Sequence, residues 1–184
     1  MLYLFGYGSL ISPESASKGL NRRLMLTDLH PATLKGFTRC WNAVEKIRFQ
    51  GHDATINGIF LNLKKASDTK VNGVLVALNK QELEQMKLRE KNYDCIDVTG
   101  QIIEKTAGCV YTFITPPDRS AHPDLQNACV PASYLKLVCD ALKLYDDQFA
   151  AAFKNSTEPL DFEVCEGEYS FVDAQQERYA GGKR

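Results

Sequence analysis

Apolar and polar positions along the chain fall into short runs with two different periods. Residues 2–7 form an apolar run interrupted at Gly6 and Gly8, which predicts a short opening strand followed by a tight turn. Ser12-Pro13-Glu14 then carries helix-start signals: a capping hydroxyl, a ring that presets φ, and an acid in the first turn. Residues 32–44 predict one or two strands around Lys35-Gly36. Runs 57–63 and 71–78 lean to strand and flank a polar, hairpin-like stretch. Asn79 with Glu82 matches a capping box ahead of a helix that runs to about Asn92. Strand patterns return at 95–98 and 109–114, and residues 117–128 read as a long loop. Pro131 opens the longest predicted helix, to about Phe153, with Leu135, Val138, Leu142, Tyr145 and Phe149 at three-and-four spacing. A last strand is expected at 162–165. Strands outnumber helices, so the expected class is α+β, built around a curved sheet or barrel.

Length and composition narrow the picture further. The chain has 184 residues, so one domain is expected over 1–172, with a polar, flexible tail at 173–184. A net charge of −1 supplies no overall basic field for nucleic acid or an anionic membrane, and neither partner is expected. The start Met1-Leu2-Tyr3-Leu4-Phe5 lacks the basic residues of a secretory signal, and no run approaches a membrane span. The six Cys form no C-x-x-C pair and do not alternate with His at metal-ligand spacing. Buried free thiols, a cytoplasmic setting and no metal are therefore expected. Only three His are present, and none has an acid or nucleophile motif around it. A catalytic base, if there is one, is more readily a carboxylate.

Two segments carry candidate chemistry. In Phe5-Gly6-Tyr7-Gly8-Ser9-Leu10 the glycines allow a tight turn and close approach of backbone to a ligand. Successive amides there suit an anion, with a helix start nearby. Nucleotide-binding and nucleophile-elbow motifs do not fit, because Tyr7 and Ile11 stand where glycine is needed. A turn with no ligand remains the alternative. The second segment is Leu88-Arg89-Glu90-Lys91-Asn92-Tyr93. On a helical projection with Leu83 at zero, Met86 lies near about 300° and Glu90 near about 340°. Glu90 thus projects from the middle of the apolar stripe, whereas Arg89 and Lys91 point elsewhere. A carboxylate among apolar groups has a raised pKa useful for proton transfer. The alternative is a glutamate that reaches water or pairs with Lys87. Tyr93 is placed to add a hydroxyl to the same site. Arg39 and Trp41 share a strand face and are expected to pack structurally.

Taken together, these segments resemble the γ-glutamylcyclotransferase-like superfamily. The resemblance runs through Phe5-Gly6-Tyr7-Gly8-Ser9-Leu10, Leu34-Lys35-Gly36-Phe37-Thr38-Arg39, Asn72-Gly73-Val74-Leu75 and Arg89-Glu90-Lys91-Asn92-Tyr93, in the family's order over roughly the first 115 residues. It implies a small mixed β-barrel flanked by helices and the release of 5-oxoproline from a small γ-glutamyl substrate without a cofactor. It further implies that Tyr7, Gly8, Ser9 and Leu10, adjoining Gly6, line the glutamyl pocket, and that Glu90 is the acid–base residue. Ser12 stands where the glutathione-specific branch tends to carry an aromatic residue. Leu10 stands where the γ-glutamyl amino acid branch tends to have Asn. The leaving group therefore stays open, as does the oligomeric state. A non-catalytic module that binds a small carboxylate on the same fold is the competing reading.

Overall fold

Two long antiparallel strands organise the molecule, a computed structural model that describes residues 1–174 and 176–177. Strand β2 (His30–Phe49) pairs along nearly its whole length with β3 (Ile56–Leu78). Register shifts occur between Lys35 and Phe37 and between Trp41 and Ala43. At the first of these, Gly36 opposes residues 66–69, so the polar stretch expected as a hairpin is a bulge within one continuous strand. The Thr69 hydroxyl donates to the Phe37 carbonyl at 2.9 Å and satisfies backbone that the ladder leaves open there.

Strand β1 (Leu2–Gly6) inserts beside β3, antiparallel, with Leu2 opposite Leu78 and Gly6 opposite Val74. Strand β4 (Asp94–Asp97) pairs antiparallel with β5 (Cys109–Ile114), which itself runs parallel to β1. Strand β6 (Ala128–Pro131) runs parallel to β3 and carries β7 (Val164–Cys165), while β8 (Tyr169–Phe171) pairs with β2. The result is the expected α+β arrangement, a mixed eight-stranded sheet with flanking helices. Its main path, β4-β5-β1-β3-β2-β8, is open among the described residues. β1 is therefore an inner strand, and the loop after Gly6 emerges from within the sheet.

The helices largely follow their caps. Helix α1 (Pro13–Leu20) starts where Ser12 Oγ accepts from the Ser15 amide. Helix α2 (Lys80–Arg89) has both halves of the capping box, at 2.9 Å and 2.8 Å, and ends at Arg89 rather than near Asn92. The long helix expected from Pro131 is two helices, α3 (Ala132–Leu142) and α4 (Asp147–Asn155). Asp146 causes the break: its carboxylate accepts from the Phe149 amide at 2.7 Å, so the backbone starts a new helix there. Of the tail expected at 173–184, residues 175 and 178–184 lie outside the described residues. Asp173 accepts from the Gln176 amide at 3.1 Å, and Gln176 is only 5 % exposed. Among the described residues no helix is long and apolar enough to cross a membrane.

Arg39 is the largest of the fully buried side chains. Its Nε donates to the Tyr7 carbonyl at 2.8 Å. Nη1 donates to Phe153 O, Ser156 Oγ and Thr157 Oγ1 at 3.0, 3.1 and 2.9 Å, and Nη2 donates to the Asn72 carbonyl. The guanidinium also lies 3.5 Å from the centre of the Phe153 ring. Burial lowers its pKa to about 9, so it stays charged at neutral pH. Its oxygen partners at the end of α4 present the negative end of the helix dipole. Replacing it by Met orphans buried acceptors from several elements at once. Arg39→Met is expected to lose about 3 kcal/mol or more of unfolding free energy in urea titrations, with Arg39→Lys less affected.

Candidate active site

The loop after β1 is shaped by one 3-10 turn, Ser9–Ile11. Ile11 N donates to Gly8 O at 3.1 Å and Ser12 N to Ser9 O at 3.0 Å, so the turn itself does not use the earlier amides, and that of Ser9 lies against the Tyr134 hydroxyl. Gly8 lets the Tyr134 hydroxyl sit close to the loop: a Cβ there would lie 3.1 Å from Tyr134 Oη, so the ring would have to give slightly. The Tyr7 ring is pinned by its hydroxyl, which donates to the Phe113 carbonyl at 2.7 Å.

Opposite this loop stands the end of α2. Glu90 caps the helix through its amide to Met86 O at 2.8 Å, and the Tyr93 amide returns to Glu90 O at 2.8 Å. That turn brings Tyr93 back beside Glu90. The predicted residues Gly6, Tyr7, Gly8, Ser9, Leu10, Glu90 and Tyr93 all line a single cavity of about 140 Å³. A cavity of roughly 150 Å³ holds a benzene-sized molecule, so the space suits a small ligand head group. Among the described residues no three His, Cys, Asp or Glu side chains are grouped to share a metal ion.

Glu90 has a side chain only 18 % exposed, and burial raises its pKa. The Arg89 guanidinium opposes that shift, with Nε 3.0 Å from Glu90 Oε1. The helical projection pointed Arg89 away from this face. Instead its long side chain folds back into a buried space beside α1, where a Cβ on Gly19 would lie 2.0 Å from Nη1. Lys87 pairs with Glu84 at 2.8 Å, not with Glu90.

Sequence reasoning passed over several lining residues. The most consequential is Glu45 on β2, 5 % exposed. Its strand neighbours two positions away, Ala43 and Ile47, are both fully buried. Period-two alternation thus carried a usable signal that this acid points inward. Burial raises its pKa most, Asn92 and the neighbouring Gln176 side chain lower it, and Glu90 raises it again. Asn92 Nδ2 donates to Glu45 Oε2 at 2.8 Å. Tyr134, from α3, and Tyr169, from β8, complete an aromatic wall around Phe60, with ring centroids 4.9 and 5.8 Å from it. Burial pushes the hydroxyls of Tyr7, Tyr93 and Tyr134 up, so all three remain protonated donors at neutral pH.

A carboxyl whose pKa is higher folded than unfolded favours the folded state most when protonated. Its contribution is complete below the ordinary value of 4.5 and is lost as pH rises through the folded value. Glu45→Gln, which keeps an acceptor for Asn92 without the charge, is therefore expected to raise the urea midpoint at pH 7. The gain should shrink as the pH is lowered toward 4.

No family model matches the sequence, and no curated protein matches it at the level of sequence. Solved structures do match by shape. A protein described as a gamma-glutamyl cyclotransferase superposes with a TM-score of 0.59 at 18 % identity, over 90 % of this chain and 93 % of that one. An uncharacterized protein from Homo sapiens gives 0.55 at 19 % identity, with the same coverage of each chain. YkqA from Bacillus subtilis gives 0.53 at 18 % identity, over 84 % of this chain and 53 % of the other. At these identities the likeness speaks for architecture, and the chain has the γ-glutamyl cyclotransferase-like fold.

Proposed function

We propose that the protein is a cofactor-independent cytoplasmic γ-glutamylcyclotransferase, releasing 5-oxoproline from a small γ-glutamyl amide. The observation that carries this reading is that Glu90 and the loop at 6–10, which ends in a 3-10 turn, line one small cavity. In a γ-glutamyl amide the α-amine attacks the γ-carbonyl of the same chain, and the new C–N bond closes a five-membered lactam. The old amide C–N bond then breaks, and the leaving nitrogen departs as an amine. Water is not consumed.

Holding the flexible glutamyl chain in its cyclised shape is mainly an orientation problem, and such intramolecular reactions gain up to about 7–11 kcal/mol from it. The cavity's aromatic wall and the Tyr7 ring restrict that chain. Loop amides hold either the α-carboxylate or the developing oxyanion, and a well-aimed donor of the latter kind contributes about 3–4 kcal/mol. Glu90 takes the proton from the attacking nitrogen and returns one to the leaving nitrogen. A raised pKa suits both halves of that exchange.

Incubation with γ-glutamyl dipeptides, γ-glutamylamines and glutathione is expected to release 5-oxoproline from at least one of them. Glu90→Gln should lower kcat by about 100-fold or more. In the wild type, kcat should rise with pH through an ionisation above 4.5, the ordinary glutamate value, and Glu90→Gln should lack that limb. Full turnover in Glu90→Gln would remove Glu90 from the mechanism. Tight binding of these compounds without turnover would favour a carboxylate-binding module instead.

A further inference from the structure

We propose that Glu45 is the anionic anchor that receives the α-ammonium of the γ-glutamyl group. This deepens the functional reading above and rests on it. Among the described residues, the buried side-chain polar atoms without a hydrogen-bond partner are Glu45 Oε1, Asn72 Oδ1 and Arg89 Nη1. Asn72 does not line the cavity, and Arg89 Nη1 is lodged against Gly19 of α1. Glu45 is the cavity-lining acid left with an open lone pair.

The neighbouring side-chain amides of Asn92 and Gln176 stabilise the carboxylate and leave Oε1 open. Asn92 Nδ2 holds Oε2 at 2.8 Å, and the Asn92 carbonyl is itself held by Arg119 Nη1 at 2.8 Å. Arg89, the cation that lines the cavity, is engaged by Glu90, so Glu45 has no cationic side chain paired to it among the described residues. A buried carboxylate in this condition is costly unless a cation arrives to meet it. A γ-glutamyl compound brings one in its α-ammonium, whose three donors suit two carboxylates at once.

The anchor also fits the proton inventory. Glu45 keeps one N–H of the ammonium while Glu90 removes another, giving the neutral amine that attacks. Over the full reaction two protons pass from that nitrogen to the leaving nitrogen, and the lactam keeps the third. The positive charge leaves on the released ammonium. Glu45 thereby selects substrates with a free α-amine, the group the cyclisation requires.

Binding in the Glu90→Gln background separates this role from turnover. Two probes are compared by calorimetry: γ-glutamyl methylamide, and the N-methyl monoamide of glutaric acid, which lacks the α-amine. Adding Glu45→Gln is expected to weaken γ-glutamyl methylamide by about 10- to 100-fold and leave the deamino analogue within about 2-fold. Glu45→Asp, which keeps the charge on a shorter arm, should recover part of the loss. Equal weakening of both probes would reduce Glu45 to a shaper of the cavity and overturn the proposal. Unchanged binding of γ-glutamyl methylamide would overturn it as well. Binding of neither probe to Glu90→Gln, with no 5-oxoproline from the wild type, would instead overturn the γ-glutamyl reading and this inference with it.

Discussion

The site depends on a buried cation that never touches the cavity. Arg39 reaches from the middle of β2 to the Tyr7 carbonyl, to β3 at Asn72 and to the end of α4. None of these partners is a carboxylate. A guanidinium has five donors and is weakly hydrated, so backbone carbonyls and two hydroxyls satisfy it at a tolerable desolvation cost. The Tyr7 carbonyl is the first one after β1, directly ahead of the turn that presents the amides of residues 8–10. Fixing it fixes the direction in which the loop leaves the sheet. The same side chain anchors α4 against β3, so the loop's geometry is tied to the packing of that helix.

Within the cavity, burial opposes the charge of two acids, which differ in what offsets it. Glu90 has Arg89 beside it, and Glu45 has amides but no cationic side chain among the described residues. A fold optimised for stability alone would replace Glu45 with a neutral or apolar residue. Its presence in a small cavity that a second carboxylate also lines makes sense if an amino-acid-like ligand completes the charges. The aromatic side chains of Phe60, Tyr134, Tyr169 and Phe171 line the cavity and lower the polarity around both acids.

Local signals made much of this legible in the sequence. Asn79 and Glu82 announced α2, Ser12 announced α1, and the glycines at 6 and 8 announced the loop. Glu90, projected onto the apolar stripe, stands just past the end of α2 and lines the same cavity as that loop. What the sequence concealed was set by side-chain reach or by distant pairing. Arg89 is long enough to bend back, so its projected angle misplaced it. The Asp146 cap was hidden inside an apolar spacing that continues across two helices. β8 is short and gains its pairing from β2, far earlier in the chain. Glu45 was readable from the burial of Ala43 and Ile47, yet an acid in a strand invites the assumption that it faces water.

The most direct test of the account is a crystal structure of Glu90→Gln with γ-glutamyl methylamide bound. The glutamyl group is expected inside the cavity, with a glutamyl oxygen on the amides of residues 8–10 and the α-nitrogen within hydrogen-bond distance of residue 90. A ligand bound elsewhere, or one whose α-nitrogen points away from residue 90, would contradict it.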